Sequence, residues 1–371
     1  MNPSQPAPAA GTEPAGPPGP APAPVGIDDE GVAAWFLQHV PGARPPLSYT
    51  LVAGGRSNLT YRVTDASGAV FALRRPPTSH VLPTAHDMKR EHRVMTALGP
   101  TAVPVPATYG LCEDPAVTGA PFYVMEFVQG NILRDQAAAE AAFGPATRAR
   151  IGDEMADTLA ALHAVDPDSV GLGDLGRRTG YIERQLKRWT EQFRQMVGPD
   201  DEHGPLVEQV GAALAANIPV PADGGPAATS IVHGDYRLDN VVLNDSGQVA
   251  AVLDWEICTL GDPMADLGLL MVYWAEPGDG EPFLGQAPPT IAAGFASREQ
   301  VLARYAETSG RDVANVGYYM AFGYWKLACI LQGVYTRYIA GAGAGDAGSV
   351  EAFPSTVARL AQLAATTLEA G

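Results

Sequence analysis

Apolar and polar positions alternate differently in the first third of the chain than in the rest. Behind the acidic start Asp28-Asp29-Glu30, the residues Val32, Trp35, Phe36 and Val40 recur at helical spacing and predict a short amphipathic helix. Residues 48–75 read as three strands. Leu59, Tyr61 and Val63 alternate with polar neighbours, and the turn Asp65-Ala66-Ser67-Gly68 leads into a strand over 70–74. Residues 85–98 return to helical spacing, with Met88, His92, Met95 and Leu98 on one side. Two further strands follow Pro104 and Pro106, the second over 121–128.

After Gly130 the pattern becomes mainly helical over 145–215, including 147–164 and 178–197. An island of strands and turns occupies 230–254, and helices resume to the C-terminus, broken by a Pro/Gly-rich loop at 276–290. This order predicts an α+β fold of two lobes. A β-rich lobe spans 26–128 and a mainly helical one 129–371, behind a tail, 1–25, of Pro, Ala and Gly. That tail has too little apolar surface to offset its ordering entropy and is expected to be disordered.

Charge and cysteine usage narrow the function classes. A formal net charge of −17 argues against nucleic acid or an anionic membrane as partner. No apolar run is long enough to cross a bilayer. Cys112, Cys258 and Cys329 are scattered, without metal-ligand spacing or a disulfide framework, and read as buried apolar residues in a reducing cytoplasm.

The chemistry lies in the island Ile231-Val232-His233-Gly234-Asp235-Tyr236-Arg237-Leu238-Asp239-Asn240. Asn240 opens the strand Val241-Val242-Leu243, the turn Asn244-Asp245-Ser246-Gly247 reverses the chain, and the return strand ends at Asp254-Trp255-Glu256. Hairpin geometry therefore brings Asn240 and Asp254 to one open end, with Asp235 on the loop that feeds it. Two carboxylates and an amide at one point suit phosphoryl transfer to an alcohol. One carboxylate accepts the hydroxyl proton, while an Asn and an Asp hold Mg²⁺ against the phosphate oxygens.

These residues resemble the aminoglycoside phosphotransferase family, a branch of the protein-kinase-like superfamily. His233-Gly234-Asp235 stands where protein kinases carry His-Arg-Asp, and Asp254-Trp255-Glu256 where they carry Asp-Phe-Gly. The run from Leu260 to Leu267, with Asp262 and Asp266, is similar to the tail of that family's signature. The resemblance, over residues 48–340, implies a bilobal protein-kinase-like fold. It implies Asp235 as base, His233 as organiser of the loop, and Asn240 and Asp254 as metal ligands. Asp262 and Asp266 are expected to cap helix ends or brace the loop.

The same resemblance implies a nucleotide site in the first lobe, for ATP or GTP. The segment Ala53-Gly54-Gly55-Arg56-Ser57-Asn58 falls where a loop covers the phosphates, although Gly54-Gly55 alone reads rather as a hairpin turn and only its position in the lobe raises it. The third strand, Phe71-Ala72-Leu73-Arg74, carries arginine where protein kinases carry lysine. Period two puts Val70, Ala72 and Arg74 on one face and Arg75 on the other without saying which face is the cleft; the resemblance favours the first, with Ala72 at the adenine and Arg74 at the phosphates. A planar guanidinium is not a neutral replacement for a compact ammonium. Glu91 is the expected partner of Arg74, against the alternative of a solvated helix face of mixed charge. Glu126 and Val128 are expected to meet the adenine edge through their backbone.

The pattern Tyr236–Asn240 and 254–263 looks most like the branch found fused to acyl-CoA dehydrogenases in animals. By that analogy the expected acceptor is the hydroxyl of a small molecule of hydroxyacyl type, with an aminoglycoside or macrolide as the alternative. A catalytically silent nucleotide-binding protein is a further alternative, disfavoured by the joint presence of Asp235, Asn240 and Asp254. His163 reads as a packed, hydrogen-bonded core residue. The aromatic run 318–325 reads as core, with Lys326 as a second-lobe cation able to meet an anionic substrate.

Overall fold

The computed structural model describes residues 24–52, 58–78, 87–198, 201–220, 229–280, 282, 287–340 and 352–370. Ser57, the Gly54-Gly55 turn and most of the Pro/Ala tail lie outside the described residues.

The chain opens with α1 (Asp29–His39), whose first turn is capped by the Asp28 carboxylate accepting from the Gly31 amide. Five antiparallel strands follow: β1 (Ser48–Val52), β2 (Leu59–Thr64), β3 (Val70–Arg75), β4 (Thr108–Cys112) and β5 (Phe122–Glu126), in the order β1-β2-β3-β5-β4. Alternation along β3 and β5 gives the sheet two different faces. Phe71, Leu73, Phe122 and Val124 pack with Val32, Trp35 and Phe36 of α1. Ala72, Tyr123 and Met125 face the other way and join a core shared with α2 (Met88–Leu98) and the second lobe.

On α2 the buried face holds Met88, Glu91, Met95 and Leu98. Glu91, rather than the expected His92, completes that stripe; His92 sits at its half-buried edge. An acid on an otherwise apolar stripe needs a partner in the fold.

The second lobe comprises α4 (Gln136–Ala142), α5 (Pro145–Ala164), α6 (Tyr181–Met196), α7 (Gly204–Ala216), α8 (Pro263–Tyr273), α9 (Arg298–Ser309), α10 (Val316–Ile339) and α11 (Phe353–Ala370), with the short α3 (Pro115–Thr118) belonging to the first lobe. The aromatic run of α10 is core, as expected: Tyr318, Tyr319, Phe322, Tyr324 and Trp325 are all buried. All three cysteines are free and buried. Among the described residues no helix is long and apolar enough to cross a membrane.

Between these helices lie two small sheets. The expected hairpin is β7 (Val241–Leu243) with β8 (Val249–Val252), in register Val241 to Val252. A second pair, β6 (Ser230–Val232) with β9 (Thr259–Gly261), has no counterpart in the sequence-based expectation. It clamps the two ends of the 233–258 segment together, because β6 leads into His233 and β9 follows Cys258.

Candidate active site

The loop after β6 is held from below by one carboxylate. Asp266, in the first turn of α8, accepts from the backbone amides of His233 (2.6 Å) and Gly234 (2.8 Å) and lies 3.4 Å from the His163 ring. Burial works against ionisation of Asp266, but His163, His233 and the Gly234 amide hold its carboxyl below the usual carboxylate range. Burial also holds His163 below its ordinary pKa, and its other ring nitrogen is 2.8 Å from the Tyr305 hydroxyl. Asp262 caps α8 by accepting from the Met264 amide and receives the Tyr319 hydroxyl at 2.7 Å. The bracing and capping roles expected of these two acids are thus what their contacts support.

Gly234 has φ +86°, and a Cβ there would come within 3.0 Å of the Ile257 side chain, so both backbone conformation and space select glycine. His233 is fully buried. Its Nε2 donates to the Leu253 carbonyl at 2.8 Å, and its Nδ1 accepts from the Asp235 amide at 3.2 Å. That pairing defines the Nε2–H tautomer. The ring also packs 4.7 Å from Trp255, so it joins the Asp235 loop to the Asp254-Trp255-Glu256 segment.

Asp235 and Asn240 meet directly, and Asp254 follows the β8 strand that pairs beside Asn240. Asn240 Nδ2 donates to the Asp235 carbonyl (2.9 Å) and to its Oδ2 (3.0 Å), which leaves Asn240 Oδ1 for another partner. The Leu253 amide donates to the Asn240 carbonyl at 2.8 Å and places Asp254 alongside. Asp254 is the non-glycine residue with positive φ, +66°, among the described residues. Strain of this kind accumulates at functional sites.

Across the cleft, Arg74 of β3 lies 3.0 Å from Glu91 Oε2 and 2.5 Å from Asp254 Oδ1. Glu91 is 1% exposed, which excludes the solvated-face alternative. It also receives the Tyr123 hydroxyl at 2.9 Å and the Asn58 amide at 3.2 Å. Burial pushes the Glu91 carboxyl up to about 7, against the pull of Arg74. The adjacent Arg75 turns to the opposite face and donates to the Thr118 carbonyl, so Arg74 is the arginine at the cleft.

Ala72 lies on the same side as Arg74 and is buried with Tyr123 and Met125. Asn58 does not stand alone over the cleft: its amide nitrogen bridges Glu91 and Glu256, the latter at 3.3 Å. Glu126 ends β5, and its amide donates to the Ala107 carbonyl at 2.8 Å. Val128 follows outside the strand, and its backbone amide bonds no other described residue.

Three contributors were not singled out as site residues from sequence. Tyr123 is opposite Arg74 only through the β3–β5 register. Arg90 donates to the carbonyls of Cys258 and Leu175 and so ties α2 to the second lobe. Arg237 lies 3.4 Å from Asp235 Oδ2 and 2.9 Å from Asp239 Oδ2, with its guanidinium 4.7 Å from the Tyr273 ring. A cation two residues after the candidate base was the signal available for it.

Among the described residues no group of three or more His, Cys, Asp or Glu converges on a metal position. One amide oxygen and one carboxylate, from Asn240 and Asp254, nevertheless fit a hard cation such as Mg²⁺. That ion takes much of its shell from water and phosphate rather than from a protein cage.

Residues 48–306 match the model of the phosphotransferase enzyme family (APH). Acyl-CoA dehydrogenase family member 11 of Rattus norvegicus is 35% identical over 323 residues, which make up 85% of this chain and 40% of that protein. The chain therefore spans less than half the length of this relative. A crystal structure of a candidate aminoglycoside phosphotransferase from Ralstonia eutropha is 35% identical, with a TM-score of 0.76 covering 92% of this chain and 99% of the other. Choline kinase from Cryptosporidium parvum, at 12% identity and a TM-score of 0.61 over 92% of this chain and 96% of its own, shares the fold. The two-lobed α+β architecture is that of the protein-kinase-like phosphotransferases.

Proposed function

The chain belongs to the phosphotransferase enzyme family, and from that premise we propose that it transfers the γ-phosphoryl group of ATP or GTP to a hydroxyl of a small molecule. The observation that carries the reading is the convergence of Asp235, Asn240 and Asp254 opposite the Arg74–Glu91 pair.

In this reading Asp235 accepts the proton of the acceptor hydroxyl as its oxygen bonds to the γ-phosphorus. The bond between the γ-phosphorus and the bridging oxygen breaks, and the nucleoside diphosphate leaves. Asn240 orients the Asp235 carboxylate through its amide nitrogen, and its Oδ1 with the Asp254 carboxylate would hold the cation. Mg²⁺, when bound there, supplies neutralisation of the phosphate oxygens. Arg74, fixed by Glu91, steadies the phosphates, and Val128 offers a free amide to the adenine edge.

A hydroxyacyl-type metabolite is the proposed acceptor. The support is the similarity to a relative named as an acyl-CoA dehydrogenase family member. The second reading, an aminoglycoside acceptor, is favoured by the name of the Ralstonia eutropha structure.

The test is nucleotide consumption with Mg²⁺ by wild type and Asp235→Asn against hydroxyacyl thioesters, aminoglycosides, macrolides and choline. Turnover by the wild type, reduced about 10²–10⁴-fold in the variant, is expected. Equal turnover by the two proteins would refute the base assignment.

A further inference from the structure

Beside the catalytic loop lies a cavity of about 330 Å³. Its walls are apolar, from Leu133, Leu238, Leu270, Trp274 and Pro289. Its charged lining residues are Arg134, Arg237 and Asp239. The cavity begins one guanidinium away from the candidate base, because Arg237 lies 3.4 Å from Asp235 Oδ2. Its size is at the lower end of the range for small-molecule sites.

The charge of this lining runs against that of the whole chain, which is −17. Asp239 is already engaged by Arg237 at 2.9 Å, and Arg237 is held in place over the Tyr273 ring. Arg134 differs from both. It is exposed, makes no hydrogen bond or ion pair to another described residue, and feels Asp239 only at a distance. An uncommitted guanidinium at the rim of an apolar pocket is a recognition element for an anion. Because Arg237 and Asp239 offset one another, the charge left for a ligand is that of Arg134, which disfavours a polycationic acceptor.

We propose that this cavity seats the phosphoryl acceptor, and that the acceptor is a hydroxylated compound with an apolar body and an anionic group, carboxylate or phosphate, met by Arg134. The proposal rests on the phosphotransferase reading for the word acceptor, and on the cavity itself for the ligand chemistry.

Calorimetric titration of the full chain separates the two. The probes are hydroxyhexanoate, its primary amide, the amino alcohol of equal length, and the monophosphate of the corresponding diol. The carboxylate or the phosphate is expected to bind at least about tenfold tighter than the amide, a difference of ~1.4 kcal/mol. Whichever anion binds tighter identifies the source. The preference should narrow as salt is added, disappear in Arg134→Gln, and be partly kept in Arg134→Lys. Equal affinities, tightest binding of the amino alcohol, or no binding by any probe would overturn the proposal. Transfer assays on the same compounds then judge the other reading. Selective binding without transfer would count against the kinase alone, and transfer without the anion preference against this cavity assignment alone.

Discussion

The guanidinium of Arg74 lies 2.5 Å from the carboxylate of Asp254, 180 residues further along the chain. The same guanidinium lies 3.0 Å from Glu91, so one cation links strand β3, helix α2 and the segment after the β7–β8 hairpin. Arg90, one residue before Glu91, adds the bonds to Leu175 and Cys258 that hold α2 against the second lobe. The two lobes are therefore joined across the cleft by these contacts.

Replacing Arg74 by Met should weaken nucleotide binding at least about tenfold and lower stability by about 3–5 kcal/mol, because Glu91 is left as a buried, unpaired acid. Arg74→Lys should recover part of the stability but less of the affinity, since one ammonium cannot reach two carboxylates as a fork does. Nucleotide titration and urea unfolding of the two variants check this. Unchanged stability in Arg74→Met would contradict the pairing.

The raised pKa of Glu91 has a definite sign in stability. In the window between the ordinary glutamate pKa, ~4.3, and about 7, the folded state binds the proton that the unfolded chain has released. Stability from this group is therefore fully present below that window and declines as pH rises through it, by roughly 4 kcal/mol at most. Glu91→Gln should lack this slope. Urea midpoints of wild type and Glu91→Gln at both ends of the window should diverge, with the variant gaining as pH rises.

Asp266→Ala should destabilise the chain by about 1–3 kcal/mol for each amide it orphans, those of His233 and Gly234. Activity should fall with it, through kcat more than KM, because the loop that carries Asp235 loses its brace. A thermal-unfolding and steady-state series on Asp266→Ala and Asp266→Asn checks this. Asn keeps an acceptor oxygen and should retain more of both.

Asp254→Asn keeps side-chain size and tolerates the positive φ of that position, but removes the charge. Transfer should drop about a hundredfold or more, and the Mg²⁺ concentration needed for half activity should rise. Chelation of the wild type should abolish transfer, and added Mg²⁺ should restore it. Transfer unaffected by chelation would remove Asn240 and Asp254 from the metal role.

Much of the second-lobe site was legible locally. Asp235, Asn240 and Asp254 lie on one loop and one hairpin, so strand alternation and the Asn244–Gly247 turn place them at one end of it. The clamp of β6 to β9 was not legible, because both strands are only three residues long and their pairing spans a whole hairpin. On α2, periodicity chose His92 for the buried face, where the structure puts Glu91. The helix angle alone cannot tell neighbouring positions apart, and the choice was made by Arg74, Tyr123 and Asn58 arriving from three other places in the chain.

The sequence by itself determined the order of elements, the two-lobe division into sheet and helices, and the local placement of Asp235 beside Asn240. Those follow from periodicity and turn chemistry, which act over a few residues. The tertiary structure alone decided that Arg74 rather than Arg75 faces the cleft, and which of the two acids takes which role, Asp266 bracing the loop and Asp262 capping α8. It also decided that segments 133–134, 237–239, 270–275 and 288–289 close around one cavity. Each of these is a meeting of groups distant in sequence. Burial and charge compensation select such a meeting only when the whole chain packs.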